Sequence, residues 1–449
     1  MSPKQKSPEF PFAEMDLAEG SELPRLLREY QAEARKVYRG LAFPTLKDEA
    51  WRRTSLRDLD VKSLELSNGS AAPDQQAPVP EDLLTSVPDQ ERRGRGVIRP
   101  GRIEVELDQE LQDQGVIFSD LANAAEQHPD LVEKILGSVV DPSEGKFAAL
   151  TAGYSGQGLF VYVPRGVRVE GTLHSLTWAA ANGKADFSQL LIYLEEGASL
   201  TYLHETSSPS ESVKQSLTGE NVEIVVGNNA HLKIIELQTL DSQNWSMAYK
   251  KAQLHRDARL DWVMSTLGSK LTKHFISMDL QDQGAEGRVS ALFFAEDQQH
   301  LSFNTRQNHN APRTNSDLLF KGGLTGDSRS VWRGMIYVAP GAQYIDGYQA
   351  NRNLILSDQA RSDSIPGLEI LNNDVRCTHG STIGKIDQEQ LFYLQARGIP
   401  KPQAEQLILQ GFFEVIFGQI PFERVRDRIW GQISDKLTAA SGVSGQADR

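Results

Sequence analysis

The sequence predicts a mainly β protein, in which a parallel β-helix is flanked by N-terminal and C-terminal α-helical regions. From about residue 147 to residue 384, short runs of Val, Ile, Leu, Phe and Tyr alternate with turn residues. Within this stretch a short fragment recurs at nearly regular spacing, which is typical of solenoids. On both sides of it, apolar residues recur with the period of a helix instead.

The recurring fragment consists of a turn residue, an alanine, any residue and a leucine, followed by alternating apolar residues. The three clear copies begin at Gly197, Asn229 and Asp257, so they recur about every 30 residues, as solenoid repeats do. Weaker copies begin at Gly166, Gly341 and Gln359, and the last two are closer together, at roughly 18 residues. The spacing leaves open whether a repeat of about 30 residues makes one coil or two.

A β-sandwich built from hairpins is the alternative fold for this stretch. Such sandwiches are punctuated by two-residue turns, of which Asn-Gly is a strong signal. Asn182-Gly183 is the only Asn-Gly pair between residues 147 and 384. One such signal is too few for so many strands, so the pattern favours the parallel β-helix over residues 147–384.

Residues 1–146 are predicted to form the N-terminal helical region. Apolar residues recur at helical spacing between Pro24 and Gly40, and shorter helical patterns cover residues 120–127 and 130–136. From about residue 67 to residue 96 the chain is polar and rich in Pro, Ser and Gln. This composition predicts a linker or a mobile loop.

Residues 385–449 are predicted to form a C-terminal helical domain of three short helices. The first begins with a capping-box-like pattern from Asp387 to Gln390 and ends at Gly398. The second and third begin near Pro402 and Pro421. The third helix has an apolar stripe formed by Val425, Ile429, Ile433 and Leu437. Amphipathic helices of this kind form a small domain or a docking module for a partner.

The composition limits the class of protein. At 449 residues, with 39 % hydrophobic residues, the chain has room for two or three domains. A net charge of −13 argues against a general nucleic-acid binder, which needs a basic surface. No apolar run approaches the roughly 20 residues of a membrane helix, and Met1–Pro8 lacks the apolar core of a signal peptide. A single cysteine cannot form an intramolecular disulfide. We therefore expect a cytoplasmic protein without nucleic-acid or membrane partners.

The cysteine lies two residues before a histidine, in the segment Asp374-Val375-Arg376-Cys377-Thr378-His379-Gly380. In a strand, Val375, Cys377 and His379 share one face, so the thiol and the imidazole lie side by side. Both groups suit a soft metal, but a complete site needs about four ligands. The other ligands would have to come from another chain or from an incoming cluster. The alternative is that Cys377 packs as a small hydrophobe and His379 is an ordinary hydrogen-bonded histidine.

Other patterns of catalytic residues are weak. Gly380–Lys385 resembles a phosphate-binding loop but is one residue short, with Ile386 where Ser or Thr should stand. His309 is predicted to be a satisfied loop histidine. Many β-helices cleave polysaccharides, so an enzyme of that class is the second hypothesis. Acidic residues such as Glu195-Glu196, and Asp257 with Asp261, show no spacing that singles out an acid–base pair.

Several segments closely resemble the SufB/SufD family, the scaffold subunits of the SUF iron–sulfur cluster assembly machine. They are residues 374–380 with 386–399, residues 160–167, residues 309–312 and residues 47–54. The resemblance covers most of the chain except about residues 67–96. It implies a right-handed parallel β-helix between helical regions and a non-catalytic role. It also implies a complex with the paralogue SufB and two copies of the ABC-type ATPase SufC.

Within the family, the chain resembles the SufD branch. SufB chains typically carry a Glu-His-Glu stretch where this chain has Cys377-Thr378-His379-Gly380. Their essential cysteine stands in a Cys-Asp-Ser run that looks equivalent to Ser362-Asp363-Ser364 here, so this chain has no thiol there. By position, His379 and Cys377 match the residues of the family's subunit interface. The resemblance therefore implies that both are candidate ligands of a transient iron–sulfur cluster, built where this chain meets SufB. It also implies that SufC, which binds the nucleotide, docks on the C-terminal helices. The sequence leaves open whether a homodimer forms in isolation.

Overall fold

The computed structural model describes residues 9–13, 23–67, 78–210 and 212–440. The helices of this part are α1 (Arg25–Gly40), α2 (Glu81–Leu84), α3 (Gln109–Asp113), α4 (Leu121–Gln127), α5 (Pro129–Glu133), α6 (Lys146–Tyr154), α7 (Gln388–Ala396), α8 (Lys401–Phe417) and α9 (Glu423–Ala440). The first ten strands are β1 (Glu65–Leu66), β2 (Arg92–Arg99), β3 (Arg102–Leu107), β4 (Ile117–Asp120), β5 (Gln157–Val163), β6 (Arg168–Trp178), β7 (Lys184–Leu194), β8 (Ser199–Ser207), β9 (Ser216–Val226) and β10 (His231–Leu240). The remaining strands are β11 (Asn244–Leu254), β12 (Arg259–Gly268), β13 (Leu271–Leu280), β14 (Glu286–Ala295), β15 (His300–His309), β16 (Asn315–Leu324), β17 (Arg329–Val338), β18 (Ile345–Ile355), β19 (Arg361–Ile370) and β20 (Val375–Lys385).

Two long sheets form a β-solenoid. Sheet A has the order β19-β17-β15-β13-β11-β9-β7-β5-β4, with β1 beside β7. Sheet B has the order β20-β18-β16-β14-β12-β10-β8-β6-β2-β3. From β5 and β6 onwards each strand pairs in parallel with the strand two places later, while β4 and β3 add antiparallel edges at the start. The predicted parallel β-helix is therefore confirmed, with about eight coils over residues 157–385.

The register settles the length of one coil. Ser199 of β8 pairs with His231 of β10, which pairs with Arg259 of β12, so each repeat of the fragment makes one full coil. The weaker copies at Gly341 and Gln359 precede β18 and β19, which belong to different sheets. Their closer spacing is therefore that of a half coil.

Each copy of the recurring fragment marks a corner of the solenoid. At seven stacked corners one residue has a φ between 54° and 80°, namely Gly166, Gly197, Asn229, Asp257, Gly284, Arg313 and Tyr344. Glycine reaches this left-handed region freely, and Asn and Asp tolerate it better than other residues. The turn residues of the three clear copies, and Gly166 of a weaker copy, are thus explained by backbone conformation.

The lumen of the solenoid is mainly apolar. Tyr202, Ile234, Trp262 and Val289 stack in register on successive strands of sheet B, and each is at most 1 % exposed. Burying each such side chain stabilises the fold by roughly 1.5–3 kcal/mol. The stack explains why alternate residues of these strands are apolar.

The solenoid begins at Gln157 rather than at the predicted residue 147, because residues 146–154 form α6. Every residue of α6 is buried. A helix that is buried all round has no polar face, so the helical period does not show in its sequence. The predicted patterns at Pro24–Gly40, 120–127 and 130–136 do appear, as α1, α4 and α5.

The stretch predicted as a linker, about residues 67–96, is structured in part. Residues 68–77 lie outside the described residues, but α2 follows them, and β2 joins sheet B beside β6. A Cβ at Gly94 would stand 2.9 Å from the carbonyl oxygen of Glu106 and from Leu173. The glycine at this position therefore lets the strand pack closely against its neighbours.

The three predicted C-terminal helices are confirmed as α7, α8 and α9. The carboxylate of Asp387 accepts hydrogen bonds from the backbone N–H groups of Glu389 and Gln390, as the capping pattern predicts. Leu409 and Phe413 of α8 join an apolar cluster with outward-facing side chains of sheet B. Within the described residues, no helix is both long enough and apolar enough to cross a membrane.

Candidate site at the open end of the solenoid

The last coil of the solenoid has a neighbouring coil on one side only. Its strands β19 and β20 pair with β17 and β18, and each is the last strand of its sheet. We call this open end, formed by β19, β20 and the lumen between them, the mouth. Cys377 and His379 both lie on β20, so the strand predicted for them is found at the mouth.

The free edges of the mouth expose backbone hydrogen-bonding groups. The N–H groups of Arg361 and Leu371 donate to carbonyls on the β17 side, at Ser328 and Val338. The direction of the backbone N–H and C=O groups alternates along a strand. The backbone groups of the even-numbered residues of β19 therefore point away from β17, towards the free edge. The carbonyl of Asp374 accepts a hydrogen bond from the N–H group of Tyr344. By the same alternation, the backbone groups of the odd-numbered residues of β20 point towards its free edge. Unpaired edges of this kind accept a strand from another chain.

Cys377 faces the lumen. Its Sγ would stand 3.4 Å from a Cβ at Gly347, its register partner on β18. Val375 and Cys377 both pack against the apolar cluster that contains Ile336 and Ile345, so these two share a face as strand alternation predicts. Burial raises the pKa of the Cys377 thiol. The thiol is therefore protonated at neutral pH.

His379 follows two residues later and is exposed. Its register partner Gln349 is completely buried, and the amide nitrogen of Gln349 donates to the carbonyl oxygen of Gly367, 2.9 Å away on β19. In the part of the chain that the structure describes, no hydrogen bond or ion pair involves the imidazole of His379. This imidazole is thus free to bind a group that arrives from outside the chain.

The rim of the mouth is apolar. Several large apolar side chains of β19, β20 and the turn between them are between 37 % and 52 % exposed, namely Leu368, Ile370, Leu371 and Ile383. Contiguous exposed apolar surface in a globular protein usually marks a site of protein association. The mouth therefore combines free strand edges, an apolar rim and two potential metal donors.

The mouth does not hold a complete metal site. Among the described residues, no three His, Cys, Asp or Glu side chains are grouped so that they could hold a metal ion. Cys377 and His379 provide two donors, whereas iron–sulfur clusters are usually held by about four. A cluster carried here as cargo would need its remaining donors from a second molecule.

His309 is a satisfied histidine, as predicted, although it lies at the buried end of β15. Its Nδ1 lies 2.7 Å from the Thr314 hydroxyl, and its Nε2 lies 2.8 Å from the Ser316 hydroxyl. Burial lowers the pKa of His309 to about 4, so its imidazole is neutral at physiological pH. Gly380–Lys385, which resembles a phosphate-binding loop, lies within β20 and not at the start of a helix.

A chain of buried polar residues that the sequence pattern did not indicate lies inside the first three coils. His204 bridges the Ser175 hydroxyl and the Glu220 carboxylate, each at 2.7 Å. These groups are those of a hydrolytic triad, but all three residues are buried. The adjoining enclosed cavity of about 10 Å³ has room for about one water molecule. No substrate can reach these three side chains, so we assign them a structural role.

Two of the carboxylates considered for polysaccharide cleavage take part in surface ion pairs. Glu196 lies 3.0 Å from the guanidinium of Arg165. Asp261 lies 2.9 Å from the imidazole of His231 and 3.2 Å from Arg259. These contacts account for the two carboxylates without a catalytic role.

Comparison with known proteins gives consistent results over nearly the whole chain. A family model described as "SUF system FeS cluster assembly, SufBD core domain" matches residues 177–412, and one described as "SufBD protein N-terminal region" matches residues 14–174. An "Iron-sulfur cluster assembly SufBD family protein" of Staphylococcus epidermidis is 30 % identical over 317 residues, which are 71 % of this chain and 68 % of the relative. SufBD family proteins of Staphylococcus haemolyticus and Staphylococcus aureus match over the same lengths at 30 % and 29 % identity.

Proposed function

This chain belongs to the SufBD family of the SUF iron–sulfur cluster assembly system, and from that premise we propose that it is a non-catalytic scaffold subunit of the SufD type. The segment Cys377-Thr378-His379-Gly380 supports the SufD assignment, since SufB chains typically have a Glu-His-Glu stretch there. The observation that carries the proposal is the mouth, where Cys377 and His379 stand between two unpaired strand edges. We place the protein in the cytoplasm.

The partner at the mouth is a SufB chain. A second solenoid of the same family has edge strands that can pair with β19 and β20, and its addition would cover the apolar rim. In the absence of SufB, a second copy of this chain can occupy the same edges. The complex is therefore a heterodimer through the β-helix, with a homodimer as the form of the isolated chain.

The cargo of the complex is a nascent iron–sulfur cluster. The neutral imidazole of His379 and the thiolate of Cys377 supply two donors to iron, and SufB supplies the others. Because burial raises the pKa of the Cys377 thiol, iron binding at this residue releases a proton. We expect His379, which is exposed and already free, to be the principal donor.

The C-terminal helices α7 and α8 dock the ATPase SufC. They carry large exposed apolar side chains, namely Phe392 (72 %), Tyr393 (57 %), Leu407 (47 %) and Val415 (57 %). Leu409 and Phe413 of α8 contact the same apolar cluster as Phe294 of β14. Motion driven by ATP binding to two SufC subunits would pass through this contact to the solenoid and open the mouth. This chain itself binds no nucleotide.

The test is co-expression with SufB and SufC of the same system and measurement of iron and sulfide in the anaerobically purified complex. We expect His379→Ala to leave the complex assembled and to lose most of its iron and sulfide. Thr378→Ala is the matched control, because Thr378 is exposed on the same strand and its side chain faces away from the lumen. A His379→Ala complex with full iron and sulfide would show that His379 is structural and that the ligands must be sought on SufB.

A further inference from the structure

Residues 49–54, here called the strap, lie across the outer face of sheet A. They contact β13, β15, β17 and β19, which are the sheet A strands of the last four coils. The strap is part of the segment 47–54 that the sequence analysis singled out. It ends at the edge strand of the mouth.

The inner half of the strap is held by Trp51. Its ring centroid lies 5.6 Å from that of Phe147 and 6.1 Å from that of Phe275 on β13. The ammonium of Lys273, also on β13, lies 5.2 Å from the Trp51 ring and donates to the carbonyl oxygen of Ala50 at 2.6 Å. Trp51 is 6 % exposed, so this end of the strap is a packed contact.

Polar contacts continue the strap over the next two strands. The Thr54 hydroxyl donates to the Ser302 hydroxyl at 3.1 Å and lies 3.2 Å from the Nε2 of His300, both on β15. The Glu49 carboxylate lies 2.5 Å from the guanidinium of Arg333 on β17. The strap therefore spans coils that do not touch one another directly.

The last contact reaches the mouth. The Arg53 guanidinium lies 3.8 Å from the carboxylate of Asp363 on β19. Asp363 also pairs with Arg329 of β17 at 2.6 Å and with Arg361 at 3.0 Å. Partial burial raises the pKa of Asp363, but the guanidinium groups of Arg329 and Arg361 outweigh it and hold that pKa below its ordinary value. The carboxylate is thus ionised and ties the edge strand to its neighbours.

A coil of a solenoid is stabilised by contacts with the coils on both sides, and the last coil lacks one of them. Its strands are therefore the first to detach. We propose that the strap is a clamp that holds β19 against β17 and so keeps the mouth in the conformation that accepts a partner strand. Trp51 and Arg53 are then positioning residues for partner docking. This inference rests on the proposed function only for the identity of the partner.

The clamp is tested first on the isolated full-length chain by amide hydrogen exchange. The reporters are the β19 amides that face β17, namely those of Asp363, Ile365, Gly367 and Glu369. Loss of a partly exposed ion pair in Arg53→Gln should speed their exchange about twofold to fivefold. Trp51→Ala should speed it about a hundredfold or more, because it removes a buried aromatic ring. Amides of β9, in the middle of the solenoid, should keep the wild-type rate.

Arg52→Gln is the matched control, since Arg52 is the exposed neighbour of Arg53. If the β19 amides exchange at the same rate in Arg53→Gln and Arg52→Gln, the strap does not clamp the edge strand and the proposal fails. Arg53→Gln replaces a partly exposed side chain, so the test stands even if Trp51→Ala does not fold.

The second measurement is the affinity of each variant for a purified SufB chain of the same system. We expect the Kd to rise about twofold to fivefold for Arg53→Gln and not to change for Arg52→Gln. Faster exchange with unchanged affinity would overturn the link to docking and leave the strap as a structural cap. If even the wild-type chain fails to bind SufB, the proposed function fails. The hydrogen-exchange rates of the β19 amides in the isolated chain still test whether the strap is a clamp.

Discussion

At the scale of single residues, Lys273 shows how a buried cation is accommodated. It is 1 % exposed, and its ammonium donates to three acceptors: the carbonyl of Ala50, the hydroxyl of Ser302 and the amide oxygen of Asn304. Burial, with a smaller contribution from the charge of Arg333, lowers the pKa of Lys273 to about 7. The ordinary pKa of lysine is about 10.4, so the folded chain holds this proton less tightly than the unfolded chain.

Lys273 should therefore make stability depend on pH between about 7 and 10. In this window the unfolded chain binds more protons at this residue, so its contribution to the free energy of unfolding rises with pH and falls again on acidification towards 7. We expect Lys273→Met to lose this slope, measured by urea unfolding at pH 7 and pH 9. Lys62→Met, at an exposed lysine, should keep the wild-type slope. An unchanged slope in Lys273→Met would show that its contacts keep the lysine charged.

Tyr344 carries backbone strain. Its φ is +60° at a corner where most earlier coils have Gly, Asn or Asp, and its side chain is 59 % exposed. We expect Tyr344→Asn to raise the free energy of unfolding by about 0.5–1 kcal/mol, because asparagine tolerates this conformation better. The gain is reduced by loss of the contact between Tyr344 and the Arg313 guanidinium, 5.9 Å from the ring centroid.

The reverse change at another corner is the control for Tyr344. Asn229 is also exposed and has a φ of +56°. Asn229→Tyr should lower the free energy of unfolding by about 1 kcal/mol. If both variants shift stability in the same direction in chemical unfolding, backbone conformation is not the cause.

At the scale of elements, α9 is attached to the solenoid through a buried ion pair. The guanidinium of Arg428 contacts the carboxylate of Glu205 on β8, and it also donates to the carbonyl of Asp82 and the hydroxyl of Ser86. His174 lies 3.0 Å from the other oxygen of Glu205. Burial raises the pKa of Glu205, but the hydrogen bond with His174 and the charge of Arg428 lower it below its ordinary value.

Arg428→Met should destabilise the protein by about 3 kcal/mol or more, because it leaves the Glu205 charge buried without its main cationic partner. The comparison is Arg424→Met on the same helix, which loses an exposed contact with the carbonyl of Thr85 and should cost less than about 0.5 kcal/mol. If urea unfolding shows the same loss of unfolding free energy for Arg428→Met and Arg424→Met, the hydrogen bond with His174 is enough to stabilise the buried Glu205 carboxylate. Since the folded pKa of Glu205 is depressed, the wild-type advantage should shrink as the pH falls below 4.5.

At the scale of the whole molecule, the mouth should govern self-association. Ile383 on β20 is 45 % exposed at the apolar rim, and a lysine there would place a charge among the side chains that a partner must cover. In sedimentation velocity over rising concentration, we expect the isolated chain to form dimers and Ile383→Lys to stay monomeric. Thr382→Lys, one residue earlier on the outer face of sheet B, should behave like the wild type. Dimers that persist in Ile383→Lys would place self-association on another surface.

Strand alternation was enough to place Val375 and Cys377 on one face. The capping pattern at Asp387 was enough to place the start of α7. Both patterns lie within a few neighbouring residues, where backbone geometry relates sequence spacing directly to side-chain direction. The same holds for the corner residues, whose left-handed conformation selects Gly, Asn or Asp in most coils.

Other features depend on residues that are far apart in the chain. Helix α6 has no helical period in its sequence because it is buried on all sides, and β2 forms as a strand by pairing with β6, which is distant in the chain. The contact between Ala50 and Lys273, and the chain from Ser175 through His204 to Glu220, join different strands or coils. Local sequence periodicity does not predict contacts between residues that are this far apart in the chain.

The sequence alone therefore predicted the class of fold, the family and the pair Cys377 and His379 as candidate metal donors, because each of these predictions rests on short patterns. Only the tertiary structure showed that the pair stands at an open end, that the strap reaches this end, and that each repeat of the fragment is one full coil. The physical reason is that solenoid contacts join residues a whole coil apart along the chain. Their partners are chosen by the packing of whole strands rather than by the adjacent sequence.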